Sequence, residues 1–115
     1  MNEVWQDKIP PQDIEAEQAV LGAIFLDSDT LIDAMEIVTP RSFYRRSHQI
    51  IFQSMIQLSN RGEAIDLVTL KAEIEKSNAL EDIGGISYLS ELSQSTPSSA
   101  SVSYYAKIVD DKSLL

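Results

Sequence analysis

Nucleotide chemistry needs a loop of the form G-x-x-x-x-G-K-S/T, whose backbone amides cradle phosphates while the lysine and hydroxyl complete the site. Lys112-Ser113 supplies the last two letters, but the six positions before it hold no glycine. Gly84-Gly85 lacks both a preceding strand and a third glycine, and reads as a turn between helices. Asp27, Asp29 and Asp33 approach the spacing of a calcium loop. Ile32 stands where that loop needs its turn glycine, however, and Val38 where it needs its bidentate glutamate. His48 is the sole histidine and there is no cysteine, so there is no second histidine or cysteine for a triad and no thiolate metal site. No catalytic, cofactor-binding or metal-ligating residue is assigned.

What remains suits binding rather than reaction. His48 lies one turn before Ile51 and Phe52 and reads as a boundary residue donating to a nearby carbonyl. Arg41, Arg45 and Arg46 cluster where a helix starts, so their charge opposes the helix dipole. Something must offset that, either neighbouring acids or an acidic or phosphate-bearing partner. Tyr88 sits beside Leu89 and four positions before Leu92, at the edge of an apolar stripe. It is either an ordinary boundary tyrosine or an interface anchor that buries its ring and keeps its tip wet. Trp5 either packs back on the domain or is presented to a partner.

These residues must be positioned by helices, because no segment alternates with period two for long enough to make a sheet. The run from Pro10 to Asp27 is one helix with its start attached. Pro10 and Pro11 hold the chain extended, Asp13 is the N-cap, and Glu15 and Glu17 place negative charge in the first turns. Ile14, Val20, Leu21, Ile24 and Phe25 form its apolar face. A short second helix carries Leu31, Met35 and Val38 up to Thr39-Pro40, and Arg41 to Tyr44 make an apolar corner. A third helix runs from Arg45 through Ile51, Phe52, Met55, Ile56 and Leu58 to a left-handed stop at Gly62. Asp66 caps a fourth helix with Leu67, Leu70 and Ile74. Gly84-Gly85 opens a fifth with Ile86, Leu89 and Leu92, ending near Thr96-Pro97.

The last helix places Val102, Tyr105 and Val109 on one line and Tyr104, Ile108 and Leu115 on the next. Adjacent Tyr104 and Tyr105 cannot both face one core, so Tyr104, Tyr105 and Ile108 are the expected self-association residues. The spacing predicts an all-α domain of about six helices. It divides into an N-terminal arm over 1–12, a globular unit over 13–97 and a final helix over 98–115. Leu114-Leu115 carries the pattern onward, so this helix is expected to lead toward a helical hairpin or linker.

Composition narrows the partners. A chain of 115 residues, 43% hydrophobic with 4 glycines and 4 prolines, has the makeup of one folded domain. The polar opening residues lack the apolar centre of a signal peptide, and no apolar run reaches membrane-spanning length. A soluble cytoplasmic protein without membrane partners is expected. Nine basic residues against eighteen acidic ones leave a formal charge of −9, which disfavours nucleic acid as a direct ligand. The acidity serves either solubility or steering of a basic partner.

Taken in order, Pro10-Pro11, Ile14 to Gln18, Val20 to Gly22 and Leu26-Asp27 resemble the opening of the DnaB-type bacterial replicative helicases. The likeness continues through Phe43-Tyr44, His48, Ile51-Phe52, Gly62, Asp66 to Leu70, Gly84-Gly85, Tyr88-Leu89, Tyr105-Ala106 and Ile108-Val109. The serines from 98 to 101 depart from the step expected into the last helix.

The resemblance implies the N-terminal collar and scaffold domain of a hexameric ring. Such domains pair with one another and receive the C-terminal domain of primase, with a helicase loader as a further partner. ATP, Mg²⁺ and single-stranded DNA are implied only for a C-terminal motor domain, and this fragment is expected to need no cofactor. For the primase contact the candidates are Glu15, Tyr88 and Leu92. A stand-alone acidic helical adaptor for a basic protein is the alternative.

The missing phosphate loop makes a direct expectation. The domain incubated with ATP should release no phosphate above a buffer blank, and release that survives repurification would overturn this.

Overall fold

The computed structural model describes residues 12–96 and 98–113. All but the last residue of the expected arm, together with Trp5, Pro10, Pro11 and Leu115, lies outside them. Helix α1 (Ile14–Leu26) starts as the sequence predicts: Asp13 is extended and its carboxylate accepts the Ala16 N–H at 3.0 Å. Val20, Leu21, Ala23 and Ile24 are fully buried on it. It is the central strut of the molecule. Around it pack α2 (Thr30–Met35), α3 (Arg46–Asn60), α5 (Gly85–Ser93) and, most extensively, α6 (Val102–Ser113). Helix α4 (Leu67–Glu75) lies against α3 and α5. A 3-10 turn over Pro40–Ser42 turns the chain from α2 into α3. The described residues contain six α-helices and no strand.

One core joins these helices. Phe43 and Phe52 meet with ring centroids 4.9 Å apart, among Leu21, Ile24, Leu31, Ile51, Met55, Leu58, Leu70, Ile74, Leu89 and Leu92. Each such side chain contributes roughly 1.5–3 kcal/mol by leaving water. At Gly22 the helices come closest, because an added Cβ would collide with Ser95 Oγ and lie 2.9 Å from the Leu92 carbonyl oxygen. Helices α1 and α5 therefore touch there backbone to backbone. Helix α6 supplies Val102, Ala106 and Val109 to the same core.

Some sequence-predicted stripes shift by one position. Met35 is exposed because α2 ends there, and Leu31, Ala34 and Val38 take the inward places. Ile86, in the first turn of α5, faces solvent. On α6 the buried line is Val102, Ala106 and Val109, which leaves Tyr105 half-buried on its flank. The capping positions held. Asp66 accepts from Thr69 N–H while Thr69 Oγ1 accepts from Asp66 N–H, both at 2.9 Å, and Gly62 takes a φ of 72° after α3.

A charged clip joins the end of α3 to α4. Arg61 donates to Glu73 through both terminal nitrogens, at 2.5 and 3.3 Å, and to Glu63 through Nε at 2.6 Å. Lys76 adds a contact to Glu73 at 3.2 Å. These hydrogen bonds from Arg61 hold both carboxyls below the usual carboxylate range and push the guanidinium up. Arg61 and Glu63 stand open to water, which screens their share.

Carboxyls depressed in the folded state stabilise it above the unfolded carboxylate pKa, and that stability is lost as pH falls through the lower folded values. Glu73→Gln should therefore melt below the wild type at neutral pH, with the gap closing as pH is taken below about 4. Equal melting temperatures at neutral pH would show that the clip contributes nothing.

Candidate functional site

Glu17 falls on the buried face of α1, between Ile14 and Leu21 at helical spacing, and is 2% exposed. A carboxylate so placed must find donors nearby. It accepts the backbone N–H of Tyr44 at 2.7 Å and that of Arg45 at 3.4 Å, both just before α3, and His48 Nδ1 at 2.6 Å. Arg45 precedes α3 without capping it through its own side chain, so a carboxylate from another helix satisfies amides at the entry to α3. Of the three arginines near this start, Arg45 is tied by its side chain to the Tyr88 hydroxyl.

His48 is fully buried, and the sequence expectation of a boundary residue bonded to a carbonyl is corrected here. Its acceptor is the Glu17 carboxylate, and its far nitrogen, Nε2, meets the Tyr88 hydroxyl at 2.5 Å. The ring packs edge-on to Phe43, centroids 6.4 Å apart, and lies nearly parallel to the Tyr88 ring at 5.8 Å and 14°. Hydrogen-bond polarity orders the chain. The carboxylate can only accept, so Nδ1 carries the hydrogen; in the neutral ring Nε2 then accepts from the Tyr88 O–H. The Tyr88 oxygen is left to accept from Gln18 Nε2 at 3.2 Å and Arg45 Nη1 at 3.4 Å. The relay runs from solvent at Arg45 through Tyr88 and His48 to Glu17, and every member has a partner.

The relay changes the meaning of Tyr88. Its ring is half-buried at the edge of the core, as the spacing predicts, but its hydroxyl turns inward to His48, Gln18 and Arg45 instead of staying wet. Gly84 fixes the backbone beside it: its φ is 104°, and an added Cβ would lie 2.9 Å from Tyr88 Cβ. Leu92, expected as a contact residue, is 1% exposed and belongs to the core behind Tyr88, so it cannot meet a partner directly.

Glu15 is exposed on α1, one turn before Gln18, which bonds the Tyr88 hydroxyl. It also lines a depression of about 330 Å³ with Asp13, Ala16, Ser95, Tyr105 and Ile108. The structure thus brings Glu15 beside Tyr105 and Ile108, which the sequence had assigned to a separate role. Tyr104 is 66% exposed and meets the Tyr105 ring edge-on at 5.8 Å. Among the described residues no group of three His, Cys, Asp or Glu side chains could hold a metal ion. No helix among them is long and apolar enough to cross a membrane.

Sequence reasoning missed Glu17 and His48 as partners, although a signal existed. His48, Ile51, Phe52 and Met55 form one buried stripe, and so do Glu17, Leu21 and Ile24. A polar residue on each of two inward stripes is a reason to pair them.

Fold and relay together define an all-helical domain whose buried polar groups tie its own elements together and end at a surface tyrosine. The chain belongs to the DnaB-like helicase N-terminal domain family, whose model matches residues 9–111. It is 56% identical over 115 residues to the replicative DNA helicase DnaB of Geobacillus stearothermophilus, and 51% identical over 115 residues to the replicative DNA helicase DnaC of Bacillus subtilis strain 168. Each match covers all of this chain and 25% of the relative, so the chain spans about a quarter of the length of these curated relatives.

Among solved structures, it matches the N-terminal domain of DnaB helicase from Mycobacterium tuberculosis with a TM-score of 0.89 and 42% identity. That match covers 92% of this chain and 77% of the other. A DnaB-like replicative helicase, solved in a study of its interactions with primase, matches with a TM-score of 0.76 and 28% identity, over 88% of this chain and 24% of the other.

Removing the buried carboxylate strands His48 and the backbone amides of Tyr44 and Arg45 together. Glu17→Ala should cost about 3 kcal/mol or more in denaturant unfolding. Glu17→Gln should cost less, because its carbonyl can still take one backbone N–H while its amide forces the other histidine tautomer. Wild-type stability in Glu17→Ala would show that the relay does not hold the fold.

Proposed function

We propose that this domain is the N-terminal collar and scaffold of a hexameric replicative DNA helicase, pairing with a second copy of itself and receiving the C-terminal domain of primase. The observation that carries this reading is the match of the whole chain, end to end, to helicases from two bacilli. The likeness to a helicase studied with primase supports the choice of partner. On this reading ATP, Mg²⁺ and single-stranded DNA are handled by the part of the parent protein outside this chain. A helicase loader is a further partner, and the place of action is the cytoplasmic replication fork. The domain division into a unit over 13–97 and a final helix over 98–115 belongs to the same proposal, with α6 as the pairing element. A stand-alone acidic adaptor is not favoured, since both bacillar helicases contain this sequence pattern throughout its length.

Pairing uses the outer side of α6, where Tyr104 is open and Tyr105 and Ile108 are half-buried. Primase docks around Tyr88, with Glu15 as a polar contact one turn from Gln18. Two measurements test the two roles. Sedimentation should show concentration-dependent association that Tyr104→Glu with Ile108→Glu weakens while circular dichroism stays helical; a strict monomer in the wild type removes the pairing role. Calorimetry against the primase C-terminal domain should show binding that Tyr88→Ala weakens about thirtyfold, the equivalent of ~2 kcal/mol. Glu15→Ala should give a smaller, salt-sensitive loss. No heat with the wild type removes the docking role.

A further inference from the structure

The Tyr88 hydroxyl is spent on the interior, which leaves only the ring to meet a partner. A half-buried tyrosine at the start of a helix has more than one staggered position open to it, and freezing it on binding costs affinity. Here it is frozen beforehand. His48 holds the hydroxyl at 2.5 Å and stacks against the ring, and Glu17 holds His48 from behind at 2.6 Å. Gln18 and Arg45 close the other sides of the oxygen, and Gly84 occupies the space beneath Cβ. Glu17 and His48 are buried, so neither can touch a partner itself.

We infer that Glu17 and His48 are positioning residues that fix the orientation of the Tyr88 ring for partner docking, an inference that rests on the reading that primase docks there. Their contribution is the ordering of one aromatic side chain before the partner arrives. The bond between His48 Nε2 and the Tyr88 hydroxyl, with the ring stack beside it, joins the buried pair to the surface ring.

Two substitutions cut that link from opposite sides; the first also gives up the bonds from Gln18 and Arg45, the second the ring stack. Tyr88→Phe keeps the ring and loses the hydroxyl. His48→Asn keeps a donor in the place of Nδ1 for Glu17 but does not reach Tyr88. Three-bond couplings of the free domain, read by nuclear magnetic resonance, should show one χ1 rotamer at position 88 in the wild type and averaging in both variants. A single rotamer in both overturns the inference whatever the partner does. Should His48→Asn fail to fold, Tyr88→Phe alone decides this arm.

In calorimetry with the primase C-terminal domain, each variant should bind about threefold to tenfold more weakly than wild type. The double variant should lose less than the sum of the two single losses, since both remove the His48–Tyr88 bond. Ile74→Val, which loosens the core against α4 away from the relay, should lower the melting temperature and leave affinity unchanged. If Tyr88→Ala loses binding while Tyr88→Phe and His48→Asn bind like wild type, docking stands and positioning falls. If Tyr88→Ala also binds like wild type, the docking site itself is wrong and the inference falls with it.

Discussion

A carboxylate removed from water is tolerable only where donors already surround it, and Glu17 makes that requirement the organising constraint of this domain. Its lone pairs are filled by the two amides leading into α3 and by a histidine in the first turn of α3. The central helix and α3 are therefore registered to each other by a group that permits little sliding. Apolar packing adds shape to that register but lacks the directionality of a hydrogen bond.

The apolar core and the polar ties divide the work. Buried leucine, isoleucine, valine and phenylalanine side chains supply the driving force for collapse, and they do so without direction. Direction comes from two polar assemblies at different places on α3. One, around Glu17, is buried at its carboxylate, reaches solvent at Arg45 and joins α1, α3 and α5. The other, around Arg61, is half open and joins the end of α3 to α4. The long third helix is thereby pinned near both ends, by a buried contact at its start and a screened one at its finish.

Most of the fold was legible in the sequence because its signals are local. Asp13 and Asp66 announce helix starts through their own side chains, Gly62 announces a stop, and the periodic residues of α3 announce its inward face. The misplacements, Met35, Ile86 and Tyr105, fall at helix ends or on flanks, where one residue of shift turns a side chain outward. The site was legible only in part. Tyr88 could be picked out because an aromatic beside a buried stripe is visible in one dimension. Its union with His48 and Glu17 could not, since these residues are 40 and 71 positions away and meet only when three helices pack. Leu92 was drawn into the site by proximity in sequence, when the same spacing places it in the core.

Gly84 has a meaning beyond its turn. It is held twice, by a backbone angle that side-chain-bearing residues rarely adopt and by the Cβ of Tyr88 standing where its own would be. Positions 84 and 88 therefore form one unit of variation, since a larger residue at the first cannot be accommodated without displacing the second. In a mutational scan of this domain the two columns would be expected to carry the same phenotype, even though only one of them offers a side chain to the outside. A lesion in a loop without chemistry of its own would present as a defect in recognition, and its origin would be invisible to anyone looking only for residues that touch the partner.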